Sequence, residues 1–504
     1  MNQEEITKTI DGLKPAIAAV TDPNARAIIE VLLQIIEAQN KIIAAQQKEI
    51  DSLKEKLNTN SSNSSNPPST NRFKSGGKSG SKGGKGSNGK PGGQPGHKGV
   101  SRALLAEEEV DHIEQHQPPS VCSCGGAIEI LHCYQRHQVH ELPKIKIMVT
   151  EHQLMAGCCG ACGQEHRATL PAHVPSGMLG PYLLALIATC TSDYKMSKRD
   201  VVRLFGDLFC LSLSVATIKR AEETVSQAIA PVVEEAKAFV QQQKIVNCDE
   251  TSHAECGKKM WTWVAIANSV AVFMIAATRS TKAAKALLGE AFQGILGSDR
   301  YCAYTWVAAD CRQVCWAHLI RDFKKIAERD GASKRIGWRL LVYSRQMFRL
   351  WHAVHKGTLS RAGFKEKMKP IRYAIEELLV AGTKIDHDKT RGTCFEILKV
   401  KVALWTFIDV VGVEPTNNLA ERVLCKIVIW RKVCFGTWSA NGTLYLERVM
   451  TVVATCRLQN RSVFHFLHDT IQAQLNNSHA PSLIPTEPTM HTSDMLDTDT
   501  AIAA

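Results

Sequence analysis

Three acidic residues of this chain end or interrupt apolar segments. Asp249 follows the short apolar segment KIVNC, Asp299 follows GILGS, and Glu421 lies in TNNLAERVLC, which has helical spacing. Carboxylates brought together by separate elements can hold divalent metal. Two such ions, about 4 Å apart, supply both a nucleophile and a stabilised leaving oxygen for phosphodiester cleavage. Mg²⁺ prefers oxygen ligands and keeps several waters, so a few carboxylates suffice. These acids therefore predict a metal-dependent site that acts on nucleic acid.

Each of these acids also has a purely structural interpretation. An aspartate after a strand is often only a turn residue or a helix cap. Four other acids compete for the same role on pattern alone: Asp310, Asp322, Glu250 and Glu447. The segment CWAH, from Cys315 to His318, allows a metal pair or a nucleophile with its base, but a Cys and a Trp in such a segment more often belong simply to the core.

The elements that would position the acids form a mixed pattern. KIVNC, WTWVAIA and AVFMIAA predict three strands at hairpin spacing, and hence an antiparallel part. TKAAKALLGEAF predicts a helix, ILGSD a strand, and QVCWAHLIRDFKKIAER a strand that leads into a helix, which is typical of parallel pairing. We therefore predict an α/β catalytic domain with a ribonuclease-H-like mixed sheet at residues 243–470, interrupted by a helical insertion at about 320–412.

The third acid needs a helix that crosses the sheet edge where strand ends converge. Asn417 and Asn418 can cap the start of that helix, and Leu419, Val423 and Leu424 can face the core. Glu421 is then predicted to approach Asp249 and Asp299.

Apolar residues recur every seven positions within residues 1–57. One set is Ile29, Ile36, Ile43, Ile50 and Leu57. The positions three residues later hold Leu32, Gln39, Gln46 and Leu53, so two of them are polar. This pattern predicts a leucine-zipper-like coiled coil that pairs protomers into a homodimer or a higher oligomer. The alternative is one amphipathic helix packed on its own chain.

The composition changes at residue 58. Residues 58–105 are rich in Ser, Asn, Gly, Pro and Lys, and cannot bury enough apolar surface to offset chain entropy. Their basic residues have no acid between them: Arg72, Lys74, Lys78, Lys82, Lys85, Lys90 and Lys98. We predict a disordered basic linker, either a solubilising tether or an arm that tracks phosphates. The polar residues 471–504 predict a disordered tail.

Two cysteine-bearing turns lie within residues 106–178: VCSCGG, with Cys122 and Cys124, and GCCGACG, with Cys159 and Cys162. The alternating segments between them, HQVHELP and KIKIMVTEHQL, predict strands. A small sheet closed by two such turns predicts a zinc-finger-like module in which these four cysteines hold Zn²⁺. The first turn has one intervening residue rather than two, so the alternatives for that half are His132, His137 and His140. Reduced cysteines in a compact β module remain the other interpretation.

Residues 179–242 have helical spacing. Ser197 and Ser214 are predicted N-caps, and Lys219 and Arg220 lie near the start of the second capped helix. Two helices joined by a few residues, the second basic at its start, outline a helix-turn-helix. An ordinary helical hairpin is the alternative.

The length, net charge and cysteine content limit the class of protein. A length of 504 residues predicts several domains, and a formal net charge of +12 indicates a polyanionic partner. The N-terminus MNQEEITKTI lacks the features of a secretory signal, and no stretch approaches the roughly 20 apolar residues of a membrane helix. We therefore expect a cytoplasmic protein without membrane contact, whose 17 cysteines are reduced thiols or metal ligands.

Longer motifs carry a family resemblance. CDET, SDRYCAYTW, VCWAHLIRDF and EPTNNLAERVLCKIVIWRKVCFGTWSANG together resemble the insertion-sequence-66 family of bacterial DDE-type transposases. The linker that ends in PGGQPGHKG, the heptad helix and the cysteine module resemble the N-terminal half of that family. The resemblance extends from about Ile28 to Leu467. One departure is Cys425, which stands where an Arg is typical of the family.

The resemblance implies that Asp249, Asp299 and Glu421 are the catalytic residues and the ligands of Mg²⁺ (or Mn²⁺). It also implies hydrolysis at the element's ends, followed by attack of the freed 3′ hydroxyl on target DNA. The implied partners are the terminal repeats of the insertion sequence, target DNA and accessory proteins of the same element, in a nucleoid-associated bacterial protein. Basic residues expected to contact DNA are Lys219, Arg220, Arg321, Arg422, Arg431 and Lys432. Rival interpretations are a non-catalytic DNA-binding protein that retains the fold and a metal-dependent nuclease without strand transfer.

Overall fold

The computed structural model describes residues 15–60 and 102–485, together with residues 9, 12, 13, 63 and 64. Most of the predicted basic linker and residues 486–504 of the predicted tail lie outside the described residues. The chain divides into two compact units: residues 1–72, 152–206 and 212–504 form the first, and residues 73–151 and 207–211 the second. No helix of the described part is long and apolar enough to cross a membrane.

The regular elements follow in chain order. The strands are β1 (Ala156–Cys158), β2 (Glu165–Arg167), β3 (Ile245–Glu255), β4 (Lys258–Ala267), β5 (Val270–Ala276), β6 (Ile295–Ser298) and β7 (Arg312–Val314). The first helices are α1 (Pro23–Asn58), α2 (Pro181–Ser192), α3 (Lys198–Phe209), α4 (Val215–Gln241), α5 (Thr281–Leu288) and α6 (Trp316–Ala327). The later helices are α7 (Gly331–His355), α8 (Arg361–Gly382), α9 (Asp388–Leu398), α10 (Thr406–Asp409), α11 (Asn418–Cys434), α12 (Ala440–Leu458) and α13 (Val463–Leu475).

A five-stranded mixed sheet with the order β5-β4-β3-β6-β7 lies in the first unit. β3, β4 and β5 pair antiparallel, whereas β6 is parallel to both β3 and β7. The β4–β5 connection is the two-residue turn Asn268–Ser269, with φ of 46° and 64°. Positive φ at both positions matches the twist of a hairpin. The predicted mixed α/β architecture is confirmed, with every predicted strand of the sheet present.

The free edge of β5 is covered by side chains of α12. The backbone N–H groups of Ala271 and Phe273 donate to the hydroxyls of Thr455 and Thr451, each at 3.0 Å, and that of Ile275 donates to Glu447. Alternate residues of a strand point their N–H groups the same way, and residues four apart lie on one helix face. Because residues 447, 451 and 455 lie on one face of α12, this helix takes the place of a sixth strand and blocks edge-to-edge pairing of the sheet.

Helices α6 to α10 lie between β7 and α11 in the chain and share an aromatic core. Trp316, Trp351, Trp405, Phe364 and Phe407 are buried there, and the rings of Trp316 and Trp405 lie 5.0 Å apart. The Trp316 indole donates to the carbonyl of Leu404 at 2.8 Å. This core fixes the start of α6 beside the end of β7.

The heptad positions of α1 remain exposed in the single chain. Ile36, Ile43, Ile50 and Leu57 are each at least 42% exposed. At its C-terminal end, Glu55 pairs with Arg329 at 3.1 Å and with Lys389. The helix is present as expected, and its pairing with another protomer stays a prediction.

The described residues 102–151 of the second unit have little regular structure. The backbone N–H of Cys122 donates to the carbonyl of Gly126 at 2.8 Å, and Val121 forms an isolated bridge with Ala127. The strands expected in HQVHELP and KIKIMVTEHQL are absent from the structure. Alternation of apolar and polar residues predicts a half-buried strand, but Val139, Met148 and Val149 are at least 77% exposed and nothing covers one face of them in the described chain.

The buried acid of the sheet edge generates a prediction about pH. Burial raises the pKa of Glu447 to about 7. A carboxyl group whose pKa is higher in the folded state than in the unfolded state binds its proton more tightly in the folded state. The protonated Glu447 therefore contributes its full stabilisation below the unfolded-state pKa, and this contribution is lost as the pH rises through 7. Glu447→Gln keeps an acceptor for Ile275. We expect it to increase the free energy of unfolding at pH 8 by up to about 3 kcal/mol, since one pKa unit corresponds to about 1.4 kcal/mol.

Urea denaturation of wild type and Glu447→Gln between pH 4 and pH 8 measures this difference. The two curves should converge near pH 4. A variant that is less stable than wild type at pH 8 would show that the charged form of Glu447 is the stabilising one.

Candidate functional site

Asp249 lies within β3, at the point where its parallel neighbour ends. β3 pairs with β6 from Ile245–Ile295 to Asn247–Gly297, and continuing this register places Asp249 opposite Asp299, directly after β6. Val246, Cys248 and Glu250 are buried on one face of β3, so alternation puts Asp249 on the other. The carboxyl ends of parallel strands meet at one sheet edge, as predicted from the sequence.

Glu250, the acid next to Asp249, is bound in a separate network. Its carboxylate accepts from Arg279 Nε at 2.6 Å and from the hydroxyl of the buried Tyr304. The Glu250 side chain is 0% exposed, and Arg279 lies over the ring of Tyr301 with 3.5 Å between guanidinium carbon and ring centroid. Glu250 is thus satisfied within the protein, which weakens its case as a metal ligand.

Asp299 is fixed by its own loop. Its Oδ1 accepts from the backbone N–H of Tyr301 at 2.9 Å, and its Oδ2 lies 3.9 Å from Arg279 Nη2. Its carbonyl accepts from Arg312 at 3.2 Å. Arg279 therefore contacts both Glu250 and Asp299. The sequence did not predict a role for Arg279. The one signal there was its position just after a predicted strand.

Glu421 lies in the first turn of α11, as predicted, but Asn417 acts differently from the expected cap. The Asn417 side chain accepts no capping hydrogen bond. Instead its amide donates to the carbonyl of Cys248 at 2.8 Å, and its backbone N–H donates to Cys315 Sγ at 3.2 Å. These bonds hold the start of α11 to β3, one residue before Asp249, and to the start of α6.

Two side chains of α6 approach the Glu421 carboxylate. His318 Nδ1 is 3.4 Å from Oε1, and Arg321 Nη2 is 3.4 Å from Oε2. Burial lowers the pKa of His318, although Glu421 acts in the opposite direction. The imidazole therefore favours its neutral form, with lone-pair density available in the site.

The acids influence one another through space. Burial raises the pKa of Asp249 well above its usual range, and the nearby charges of Glu250, Asp299 and Glu421 raise it further. Like charges gathered in a poorly solvated place disfavour ionisation, and a divalent cation would relieve that repulsion. The donor set of carboxylate oxygens is the kind that Mg²⁺ and Mn²⁺ prefer.

A closer group of ligand-type side chains lies beside this cluster. Cys315 Sγ, a ring nitrogen of His318 and a carboxylate oxygen of Glu421 all lie within 4.8 Å of one another, the one such group in the described part of the chain. Asp249, Asp299 and Glu421 are spaced more widely. Burial raises the pKa of the Cys315 thiol to about 12, so this thiol is unsuited to act as a nucleophile with His318 as its base.

The remaining rival acids are exposed or have partners outside the carboxylate cluster. Asp310 is exposed in a short helical turn, Asp322 pairs with Arg300, and Glu447 binds the edge of β5. The three predicted acids are therefore brought together by the fold, while these alternatives have other surroundings.

The predicted DNA-contacting residues occupy three helices. Lys219 and Arg220 are exposed on α4, where Lys219 lies 3.6 Å from Glu223. On α11, Arg422 and Lys432 are exposed and Arg431 donates to Ser252 at 2.8 Å. Arg321, on α6, faces Glu421 as described above. Ser197 and Ser214 cap α3 and α4 as predicted, through Asp200 N–H at 3.2 Å and Thr217 N–H at 3.1 Å.

Backbone hydrogen bonds close both cysteine turns. Between β1 and β2, Gly163 N–H donates to the carbonyl of Cys159 at 2.8 Å. Backbone N–H groups of Cys162 and Ala161 lower the pKa of Cys159, and those of Cys124 lower that of Cys122. Cys122 and Cys124 belong to the second unit, whereas Cys159 and Cys162 belong to the first. Their joint binding of Zn²⁺ stays a prediction.

Comparison with known proteins supplies the family. A family model described as Transposase IS66 family matches residues 176–444. The chain belongs to the IS66 transposase family. The match includes Asp249, Asp299, Glu421 and the CWAH segment, and it confirms the resemblance seen in the motifs.

Two further matches extend beyond the IS66 transposase region. A model described as Family of unknown function (DUF6444) matches residues 13–103, which include the heptad helix and most of the basic linker. The uncharacterized protein y4hP of Sinorhizobium fredii (strain NBRC 101917 / NGR234) is 23% identical over 399 residues, which are 70% of this chain and 70% of that protein.

The crowding of carboxylates predicts a link between stability and divalent metal. Asp249→Asn removes a buried charge from the cluster, so in EDTA at pH 7 we expect the free energy of unfolding to rise by about 1–2 kcal/mol, the usual gain from relieving a strained functional site. Wild type should melt at a higher temperature when Mg²⁺ or Mn²⁺ is added, because the ion binds only the folded state. The variant should lose most of that increase.

Asp310→Asn, at an exposed acid outside the cluster, is the matched control and should behave as wild type. Metal-dependent stabilisation that is equal in wild type and Asp249→Asn would exclude Asp249 as a ligand.

Proposed function

We propose that this IS66-family protein is a DNA transposase that cuts strands at the ends of an insertion sequence and transfers them into target DNA. The observation that carries the proposal is geometric: the β3–β6 register places Asp299 opposite Asp249, and the bond from the Asn417 amide to the carbonyl of Cys248 holds the start of α11, with Glu421 in its first turn, next to Asp249. The strand order and the position of Glu421 on a helix after the sheet are compatible with a ribonuclease-H-like domain.

Asp249, Asp299 and Glu421 would hold Mg²⁺ or Mn²⁺. The bound ions supply an activated water or 3′ hydroxyl and neutralise charge on the leaving oxygen. The pKa of Asp249 is raised by its neighbours, and Glu421 Oε1 is buried without a hydrogen-bond partner among the described residues. Both features fit a cation in this place.

The remaining residues of the site orient these carboxylates. Asn417 fixes the start of α11 against β3, while Arg321 and His318 set the position of the Glu421 carboxylate. Arg279 holds Glu250 and limits where Asp299 can turn. Because Arg321 lies on Glu421, we assign it to orientation of the site as well as to the DNA backbone.

DNA would approach along basic side chains of α11 and α4. Exposed Arg422 and Lys432 lie on the helix that carries Glu421, and Lys219 and Arg220 lie on α4. Contacts of this kind position the phosphate backbone without reading sequence. The cysteine module, with Zn²⁺, and the helices α3 and α4 would assist recognition of the element's ends. The exposed seam of α1 would pair protomers, and accessory proteins of the same element are further candidate partners in the bacterial cytoplasm.

The test uses labelled DNA that carries the element's own ends, with Mg²⁺ and purified protein. Wild type should cut the ends and join them to target DNA. Asp249→Asn should lower cleavage by at least about 100-fold, since even outer-shell partners of a metal are worth about 10–100-fold. End binding should stay within a few-fold of wild type, because it depends on phosphate contacts.

Glu447→Gln is the matched control: it also changes a buried carboxylate to an amide, but at the sheet edge, and should cut as wild type does. Cleavage without joining would support a nuclease instead. Binding without cleavage by wild type, even with accessory proteins, would support a DNA-binding protein that retains the fold. Equal loss of binding and cleavage in folded Asp249→Asn would contradict the role given to Asp249.

A further inference from the structure

Three different ligand types meet where α6 and α11 begin. Cys315 directly precedes α6, His318 lies in its first turn, and Glu421 lies in the first turn of α11. Their ligand atoms lie within 4.8 Å of one another. Thiolate, imidazole and carboxylate are the ligands of zinc sites, whereas a Mg²⁺ site is built from oxygen.

Two of these atoms make no hydrogen bond within the described part of the chain. His318 Nδ1 and Glu421 Oε1 are buried 3.4 Å apart, and neither makes a hydrogen bond with any described residue. A buried polar atom left unpaired costs about 1–3 kcal/mol. A cation that accepts lone pairs from both would remove that cost.

A backbone N–H group contacts the sulfur of Cys315. The side chain is 1% exposed, and Sγ accepts the Asn417 N–H at 3.2 Å. Donors of this kind orient a metal-bound thiolate and tune its affinity.

We propose that Cys315, His318 and Glu421 form a second cation site, of the class that binds Zn²⁺, and that Glu421 is shared between this site and the carboxylate cluster. Binding converts the Cys315 thiol to a thiolate, and its proton passes to solvent. Three protein ligands leave one position of a tetrahedral zinc site open.

Sharing of Glu421 gives the site a consequence that rests on the proposed transposase function. A carboxylate that binds Zn²⁺ with Cys315 and His318 is less available to the Mg²⁺ cluster. Zn²⁺ at this place should therefore inhibit strand cleavage supported by Mg²⁺, in competition with Mg²⁺.

The first test counts zinc and needs no DNA. The full chain is equilibrated with Zn²⁺, dialysed against metal-free buffer, and analysed for bound zinc by mass spectrometry. Cys315→Ser and His318→Gln should each lose about one equivalent relative to wild type. The control Cys456→Ser changes another fully buried cysteine, on α12, and should lose none.

Cobalt substitution identifies the ligand. Replacement of Zn²⁺ by Co²⁺ gives a sulfur-to-metal absorption band, and its intensity should fall in Cys315→Ser but not in Cys456→Ser. Zinc content and absorption in folded Cys315→Ser equal to those of wild type would overturn the proposal. Thermal melting verifies that each variant is folded, and His318→Gln provides the same test if Cys315→Ser does not fold.

The effect of Zn²⁺ on strand cleavage is measured in a separate experiment. Each protein's cleavage rate is normalised to its own rate in Mg²⁺ alone, and Zn²⁺ is then added. Cys315→Ser should need at least about tenfold more Zn²⁺ for half inhibition, in line with the affinity lost with a metal-site partner. Unchanged sensitivity would overturn the sharing of Glu421. An inactive wild type would count against the proposed function alone, since the zinc content is measured without cleavage.

Discussion

The candidate site depends on one buried amide that joins three elements. Asn417 donates from its side chain to the carbonyl of Cys248 on β3 and from its backbone to Cys315 before α6. In the same region, the backbone N–H of Trp316 donates to the carbonyl of Pro415 at 2.9 Å. Glu421 follows Asn417 by one helical turn, so this contact decides where the third carboxylate lies relative to Asp249 and Asp299.

The packing of the rest of the first unit supports that contact. The aromatic core of helices α6 to α10 fixes α6 through Trp316, and α12 closes the exposed edge of the sheet with Thr451, Thr455 and Glu447. β3 lies between β4 and β6. The scaffold is therefore rigid on both sides of Asp249, which is what a site needs if carboxylates are to stay together despite their repulsion.

Much of the fold could be predicted from the sequence, because its signals are local. The segments KIVNC, WTWVAIA and AVFMIAA have the apolar content and turn spacing of strands, and the capping residues Ser197 and Ser214 mark the starts of two helices. The nearness of Asp249 to Asp299 follows from parallel strands that end at one edge. The long motifs around Glu421 indicated the family.

Other features depend on contacts between distant residues and could not be predicted. Asn417 looked like a helix cap, but its amide donates to Cys248, 169 residues away. Glu447 resembled a rival for the third acid, and only the position of α12 beside β5 reveals its different partner. The expected strands around Val139 and Met148 are absent, since alternation predicts a strand only where something covers its apolar face.

The central claim is that Asp249, Asp299 and Glu421 together form one divalent-cation site. The most direct measurement replaces Mg²⁺ with Fe²⁺ in the full chain and adds ascorbate and hydrogen peroxide, so that radicals formed at the ion break the nearby backbone. Mass spectrometry of the fragments should locate breaks close to residues 249, 299 and 421, and excess Mg²⁺ should suppress all three together. Breaks that omit the 249 and 299 segments, or that persist unchanged in Asp249→Asn, would contradict the claim.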